Sequence, residues 1–242
     1  MSVEDTNTRV EDTNTCVKEV KLPPLSYSSM EVFKQCPRRY WATRIAAHEV
    51  ELEESTHEAA IWGSDVHKAL EEFLRDGVPL PERFKEFADY ARQLKSFAES
   101  RDGELYIEHK LAVDEDMNQV PFDSESVRYR GIIDYLFVSD DTAYLLDHKT
   151  GKVRVTDQLA LNALLVFAAF PQVQRVKAVF YWLKVNTYTR LTYDRNYAQS
   201  LEQSVFRPVA EQIKQAIVTN QWTAKPSPLC KWCPYVQCDQ RI

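Results

Sequence analysis

The sequence predicts a mixed α/β domain in which helices come first, a β-sheet with one crossover helix fills the middle, and a helix follows. Helical periodicity runs to about residue 100, and β-rich runs occupy 104–148 and 176–194. The apolar stretch "LALNALLVFAAF" lies between those runs and is typical of a buried helix. At 242 residues the chain is long enough for one sizeable core.

The first 22 residues are predicted to form a disordered tail. They contain the direct repeat "VEDTNT", which is too polar to be buried. Residues 23–242 are expected to form one domain, with a cysteine-rich tail at 220–242. The N-terminus is polar and acidic, and no apolar stretch is long enough to cross a membrane. We therefore expect a cytoplasmic protein without structural disulfides.

Each secondary-structure element has its own local pattern. Ser28 and Glu31 form a capping-box pattern that predicts the start of the first helix at Ser28. Asn186 and Thr187 separate two β-rich runs and predict a hairpin. The other predicted helices are 57–75, 81–100, 156–169 and 195–219. The predicted strands are 104–113, 127–138, 142–148, 176–185 and 188–194.

Composition excludes some classes of function and weakens others. The formal net charge of -6 argues against binding nucleic acid through bulk charge, although a locally basic groove can coexist with an acidic remainder. The five glycines leave no room for a phosphate-binding G-x-x-x-x-G-K-[ST] loop or a G-x-G-x-x-G turn. Nucleotide-driven motors and dinucleotide enzymes are therefore disfavoured.

Two acids and a lysine lie on successive predicted strands. Asp134 interrupts the apolar strand "GIIDYLF", where an unpaired charge would be costly, and Asp147 ends the next strand with Lys149 on the same side. Converging carboxylates repel unless a cation separates them, and hard oxygen ligands favour Mg²⁺ or Mn²⁺. This pattern predicts metal-dependent phosphodiester hydrolysis with Lys149 acting on the water. An ion pair at the end of a hairpin is the alternative.

The order G-x-x-D followed by apolar-D-x-K-T-G resembles the active-site core of the PD-(D/E)XK nuclease superfamily in its RecB-like exonuclease branch. The resemblance covers most of residues 25–240. It implies a restriction-endonuclease-like core and a Mg²⁺- or Mn²⁺-dependent exonuclease that acts on single-stranded DNA or DNA ends in recombination, repair or processing. It also implies similarity to CRISPR-associated and AddB-type iron-sulfur nucleases, with a possible helicase or recombination partner.

The same resemblance assigns further residues. "WGSDVHKALEEFL" resembles the histidine motif of the branch, which makes His67 a metal ligand beside Asp134, Asp147 and the backbone carbonyl of His148. Without the resemblance, His67 would be interpreted as a core histidine. "TDQLALNALLVF" resembles the helix whose glutamine helps to shape the active site, and this glutamine is Gln158. Asn162 stands where that helix usually carries tyrosine, so the role of the tyrosine is not carried over.

Three cysteines close together near the C-terminus predict a soft-metal site. They are Cys230, Cys233 and Cys238, in "CKWCPYVQC". The resemblance implies that Cys36, in "QCPRRYW", is the fourth ligand of a 4Fe-4S cluster that joins the N-terminal helical segment to the C-terminal tail. A four-cysteine Zn²⁺ site is the alternative, because the last gap of the triplet is one residue shorter than is typical. Cys16 is left over in the predicted tail.

Basic residues near both motifs are candidates for binding DNA. Arg38 and Arg39 follow Cys36, and Lys152 and Arg154 follow the Asp-x-Lys strand. Glu108 could point into the same cleft or face solvent, so it stays outside the predicted site. Two other functions remain open: a non-catalytic DNA-end-binding or assembly subunit, and a zinc-bound interaction module on an unrelated α/β domain.

Overall fold

A five-stranded mixed sheet lies at the centre of the computed structural model, which describes residues 21–53 and 58–241. Its strands are β1 (Glu104–Val113), β2 (Tyr129–Ser139), β3 (Thr142–Lys149), β4 (Arg175–Trp182) and β5 (Thr187–Asp194). They lie in sequence order, and only β3 and β4 are parallel. The predicted α/β class is confirmed, and the sheet is consistent with a restriction-endonuclease-like core.

Helices cover both faces of the sheet. The α-helices are α1 (Tyr27–Gln35), α2 (Pro37–Tyr40), α3 (Glu58–Asp76), α4 (Ala88–Glu99), α5 (Gln158–Ala169), α6 (Ala198–Leu201) and α7 (Arg207–Thr219). Two π-helical turns, Trp41–Ile45 and Glu202–Phe206, and 3-10 turns at Glu82–Phe87, Leu183–Val185, Arg195–Tyr197 and Pro228–Trp232 complete the helical elements. Among the described residues, no helix is long and apolar enough to cross a membrane.

The crossover helix α5 forms the main core with one face of the sheet. Every residue from 159 to 167 is buried, as the apolar stretch predicts. Leu145 on β3 belongs to this core, whereas its neighbour Leu146 packs with α3 and α4 on the opposite face, as strand alternation requires. At Gly131 an added Cβ would lie 2.9 Å from Asn162 Oδ1, so the glycine lets α5 approach β2 closely.

Several predicted element boundaries are wrong. The predicted helix 81–100 begins with the 3-10 turn Glu82–Phe87, and the predicted strand 176–185 ends at Trp182, before the 3-10 turn Leu183–Val185. Helix α1 is capped by Ser26 instead of Ser28, and Ser26 exchanges side-chain hydrogen bonds with Ser29. Leu25, which pairs with Tyr129 of β2, fixes the chain just before this cap. The predicted helix 195–219 is interrupted by a π-helical turn just before α7, where Pro208 has no backbone N–H to continue the hydrogen-bond ladder.

The predicted hairpin after the crossover is confirmed. β4 and β5 pair antiparallel over their full length, and Asn186 takes a left-handed φ of 48° at the turn. Of the predicted disordered tail, residues 1–20 lie outside the described residues, as does Cys16. Leu22 already packs against the main core.

Candidate active site

Three carboxylates lie at one level of the sheet, on three neighbouring strands. The ladder pairs on either side place Glu108 of β1 opposite Asp134 of β2. The last recorded pair between β2 and β3 is Tyr135 with Leu146, so Asp134 and Asp147 are the next residues on those strands. The predicted convergence of Asp134 and Asp147 therefore follows from the hairpin register, and β1 adds a third acid.

Glu108 has a strained backbone at this level. Its φ of 49° is left-handed, which is uncommon for a residue other than glycine and rare within a strand. The side chain is half-buried, and burial, followed by the charge of Glu71, raises the pKa of its carboxyl group. Sequence reasoning left Glu108 undecided, because only its register opposite Asp134 places it at the site.

His67 reaches the same point from helix α3. The Cβ of a residue replacing Gly63 on this helix would lie 3.0 Å from Thr150 Oγ1, so the glycine lets α3 lie close to the end of β3. His67 Nε2 lies 2.8 Å from the His148 carbonyl oxygen, and His67 Nδ1 lies 3.3 Å from Asp134 Oδ2. A carbonyl can only accept, so Nε2 carries a proton and donates it.

The environment of Asp134 disfavours its charged form. Burial, followed by the negative charge of Asp147, raises the pKa of Asp134 well above its usual value. The backbone N–H of His148 donates to Asp134 Oδ2 at 2.7 Å, which only partly compensates. His67, Glu108 and Asp134 each offer a ligand atom within 4.8 Å of the other two, so a cation held there would relieve the repulsion.

Asp147, Lys149 and Gln158 form a closed polar network. Gln158, the first residue of α5, donates from Nε2 to Asp147 Oδ1 at 2.7 Å and accepts from Lys149 Nζ at 2.8 Å. Lys149 Nζ also lies 2.7 Å from Asp147 Oδ2. Despite this ion pair, no donor among the described residues meets the buried Oδ2 at hydrogen-bonding geometry. Burial raises the pKa of Asp147, while Lys149 opposes the shift.

These residues fit a divalent cation. Carboxylate oxygens and an imidazole nitrogen are ligands that Mg²⁺ or Mn²⁺ accepts, and Asp147 Oδ2 is a buried oxygen without an aligned donor in the part of the chain that the structure describes. Compared with the predicted ligand set, the group of ligand atoms within 4.8 Å of one another adds Glu108 to His67 and Asp134 and does not include Asp147. The His148 carbonyl already accepts a hydrogen bond from His67. The His148 ring is buried and packs edge-on against Tyr90.

The four predicted cysteine ligands line one pocket of about 40 Å³. Cys36 follows α1, whereas Cys230, Cys233 and Cys238 lie beyond α7, and all four are free thiols. Backbone N–H groups point at the sulfur atoms: Lys225 N lies 3.4 Å from Cys36 Sγ, and Ser227 N lies 3.3 Å from Cys230 Sγ. The fold therefore brings the two distant cysteine segments together.

The four basic residues predicted to bind DNA fall into two groups. Arg38 pairs with Asp239 at 2.7 Å, and Arg39 lines the cysteine pocket. The Arg39 Nε atom is buried and has no acceptor among the residues that the structure describes. Lys152 and Arg154 are exposed on the connection between β3 and α5, and Arg154 Nη2 lies 3.9 Å from Glu31 Oε2 of α1. This second group comes directly after β3, the strand that carries Asp147.

Comparisons with known proteins place this architecture in context. A family model described as the PD-(D/E)XK nuclease superfamily matches residues 24–238. No curated protein sequence is significantly similar to the chain. The crystal structure of SSO0001 aligns with 93% of this chain and 89% of its own, at 13% identity and a TM-score of 0.44. A Eubacterium rectale protein provisionally described as an exonuclease aligns with 93% of this chain and 98% of its own, at 11% identity and a TM-score of 0.46.

Proposed function

Because the chain belongs to the PD-(D/E)XK nuclease superfamily, we propose that it is a metal-dependent DNA exonuclease of the RecB-like iron-sulfur branch. It hydrolyses phosphodiester bonds in single-stranded DNA or at DNA ends, in recombination, repair or DNA processing. The observation that carries the proposal is the convergence of His67, Glu108 and Asp134, whose ligand atoms lie within 4.8 Å of one another. Asp147, Lys149 and Gln158 complete the site from the next strand and from α5.

The proposed metal site consists of His67, Glu108, Asp134 and the Oδ2 atom of Asp147. These four residues come from four different elements, namely α3, β1, β2 and β3. The site therefore forms only when the three strands are paired and α3 is packed against them. Bound Mg²⁺ or Mn²⁺ would supply Lewis acidity to the phosphate and lower the pKa of water. His67 would offer Nδ1, because its Nε2 proton is directed to the His148 carbonyl.

The polar and basic side chains around the metal site position the reacting groups and neutralise negative charge. Gln158 holds Lys149 and Asp147 at hydrogen-bonding distance, which fixes the direction of the lysine ammonium group. From there Lys149 orients the attacking water and stabilises the negative charge that develops on the phosphate. Lys152 and Arg154 are exposed immediately after β3, so they can hold neighbouring backbone phosphates of the DNA.

The cysteine pocket is proposed to hold a 4Fe-4S cluster. Four sulfur atoms line one small pocket, and backbone N–H groups point at two of them, which supports thiolate ligation. Arg39 beside the pocket supplies a positive charge to offset the anionic ligand set. An anaerobically purified sample should be brown, absorb near ~400 nm and contain iron and sulfide. A colourless sample that contains stoichiometric zinc would show that the four cysteines bind Zn²⁺ instead of an iron-sulfur cluster.

The nuclease proposal is tested with end-labelled single-stranded, duplex and circular DNA in Mg²⁺ or Mn²⁺. We expect metal-dependent cleavage by the wild type, prevented by a chelator, and none by Asp147→Ala. A matched control is Asp116→Ala, which removes an exposed acid that follows β1 and lines a different cavity. Full cleavage by Asp147→Ala would refute the proposed site. DNA binding without cleavage by the wild type would favour the alternative of a non-catalytic end-binding subunit.

A further inference from the structure

A groove of about 740 Å³ lies between helix α4 and the sheet face opposite α5. Its floor includes Tyr181 and Val179 of β4 with Tyr188 and Arg190 of β5. A neighbouring cavity of about 320 Å³ shares Val179 and Arg190 with the groove and extends it toward Tyr144 and Lys177. The two form one continuous depression along the last three strands.

One end of the groove lies next to His148, which stands between two residues of the candidate active site. Tyr90 of α4 stacks on Tyr181, with ring centroids 3.9 Å apart and planes 13° from parallel. The Tyr90 hydroxyl lies 3.5 Å from Nδ1 of His148, the residue between Asp147 and Lys149. Tyr181 is also the parallel-strand partner of His148. This end of the groove therefore lies beside the segment of β3 that carries Asp147 and Lys149.

Aromatic rings become more exposed with distance from that end. Tyr181 pairs across the strands with Tyr188, and the stacked pair of Tyr90 and Tyr181 is half-buried. Tyr188 is 49% exposed, which leaves ring surface free. A large exposed ring beside two ordered rings is a suitable platform for an unpaired base, because every base offers a π-face.

Positive side chains accompany these rings on the strand side. The Arg190 guanidinium lies 3.8 Å from the Tyr188 ring centroid, and the Lys177 ammonium lies 5.1 Å from that of Tyr144. Lys184 adds a third cation. The acids of the lining, Glu86 and Asp89, both lie on the helical side, and Asp89 is paired with Arg92. The whole chain has a formal net charge of -6, but the three cations make the potential along this side of the groove locally positive. This side of the groove therefore favours a polyanion.

We propose that this groove binds a single strand of DNA that runs to or from the active site, with a base stacked on Tyr188 and a phosphate paired with Arg190. The proposal rests on the proposed nuclease function and adds the strand's path. Single-stranded DNA fits because stacking on Tyr188 requires an unpaired base face, while Lys177, Lys184 and Arg190 provide the charge for its backbone.

The test measures binding of a fluorescent deoxythymidine oligonucleotide by anisotropy, with chelator present so that cleavage cannot contribute. Tyr188→Ala should weaken binding by roughly five-fold or more, and Tyr188→Phe should restore it because the ring is kept. Arg190→Ala should weaken binding. It should also make the negative slope of the logarithm of the association constant against the logarithm of the salt concentration less steep by about 0.7. Tyr197→Ala, which removes a tyrosine that is 61% exposed outside the groove, should bind as the wild type does.

The outcomes separate this proposal from the nuclease assignment. Unchanged affinity in both Tyr188→Ala and Arg190→Ala would overturn the groove proposal, whether or not the protein cleaves DNA. Equal weakening by Tyr197→Ala would also overturn it, because the loss would not be specific to the groove. A wild type that binds with the expected sensitivities but cleaves no DNA would refute the nuclease function and leave the groove proposal standing. Melting temperatures of all variants identify any loss due to unfolding.

Discussion

Gln158 accepts a hydrogen bond from Lys149 at 2.8 Å while it donates one to Asp147 at 2.7 Å. One amide therefore sets the positions of a candidate metal ligand and of the lysine beside it. An amide donates from its nitrogen and accepts at its oxygen, so the glutamine side chain makes both contacts at the same time. The position at the start of α5 fixes the glutamine on a buried helix.

We predict that Gln158→Ala lowers kcat for DNA cleavage by roughly 10- to 100-fold with little change in KM, because Asp147 and Lys149 lose their common partner. Steady-state kinetics on a labelled single strand provide the measurement. Gln199→Ala, a glutamine on α6 that lines a different cavity, is the matched control and should retain the wild-type kcat. An unchanged kcat in Gln158→Ala would mean that this network does not position the reacting groups.

The pH dependence of stability should reveal the repulsion at Asp134. Burial and Asp147 raise its folded-state pKa, so the carboxyl group favours folding while it is protonated. That contribution is complete below the unfolded pKa and is lost as pH rises through the folded pKa. In chelator, Asp134→Asn should therefore melt higher than the wild type at about pH 8, and the difference should shrink toward about pH 4.

Added Mn²⁺ should make the wild type melt at a higher temperature than Asp134→Asn. A metal that binds only the folded protein stabilises it by about 2.7 kcal/mol at one hundred times its Kd, and the wild type should gain more than Asp134→Asn. Differential scanning calorimetry with and without Mn²⁺ measures both effects. Asp116→Asn, at an exposed acid, should follow the wild type under every condition. A metal response in Asp134→Asn equal to that of the wild type would exclude Asp134 as a ligand.

The sequence predicts the carboxylate pair better than it predicts the complete site. Asp134 and Asp147 lie on consecutive strands, so hairpin pairing brings them together without any long-range information. Glu108 depends on the register between β1 and β2, whose connection spans residues 114–128 and does not fix that register locally. The hydrogen bond between Lys149 and Gln158 likewise depends on how the crossover helix returns to the sheet, so only the family resemblance indicated a role for Gln158.

Cys36 should be required for metal at the cysteine pocket. It lies far in sequence from the other three sulfur atoms, and its loss would leave three ligands and open the connection between α1 and the C-terminal segment. Cys36→Ser should lose bound iron or zinc and lower the melting temperature, because metal binding contributes to the free energy of folding. Metal analysis and absorbance near ~400 nm provide the measurements.

Cys16→Ser is the matched control for that experiment. Cys16 lies outside the described residues and was predicted from the sequence to be a bystander, so its substitution should leave the metal content unchanged. Full metal content in Cys36→Ser would show that Cys36 is not a ligand. Loss of metal from both variants would instead require a different set of thiolates.

The strain at Glu108 leads to a prediction that separates stability from function. A left-handed φ of 49° costs a non-glycine residue of order 1–3 kcal/mol, whereas glycine adopts it freely. In chelator, Glu108→Gly should be more stable than Glu108→Ala by about 1 kcal/mol, although glycine normally weakens a strand interior. Urea unfolding of both variants measures the difference. A more stable Glu108→Ala would mean that the left-handed backbone is not retained in solution.

Both variants should lose metal affinity and DNA cleavage, because each removes a carboxylate from the group formed with His67 and Asp134. Glu104→Ala, which removes an exposed acid from the first position of β1, should keep both. The two variants would then differ in stability while both lose activity, since glycine relieves the backbone strain but supplies no ligand. Wild-type Mn²⁺ affinity in Glu108→Ala would contradict a ligand role and leave the strained backbone without a functional reason.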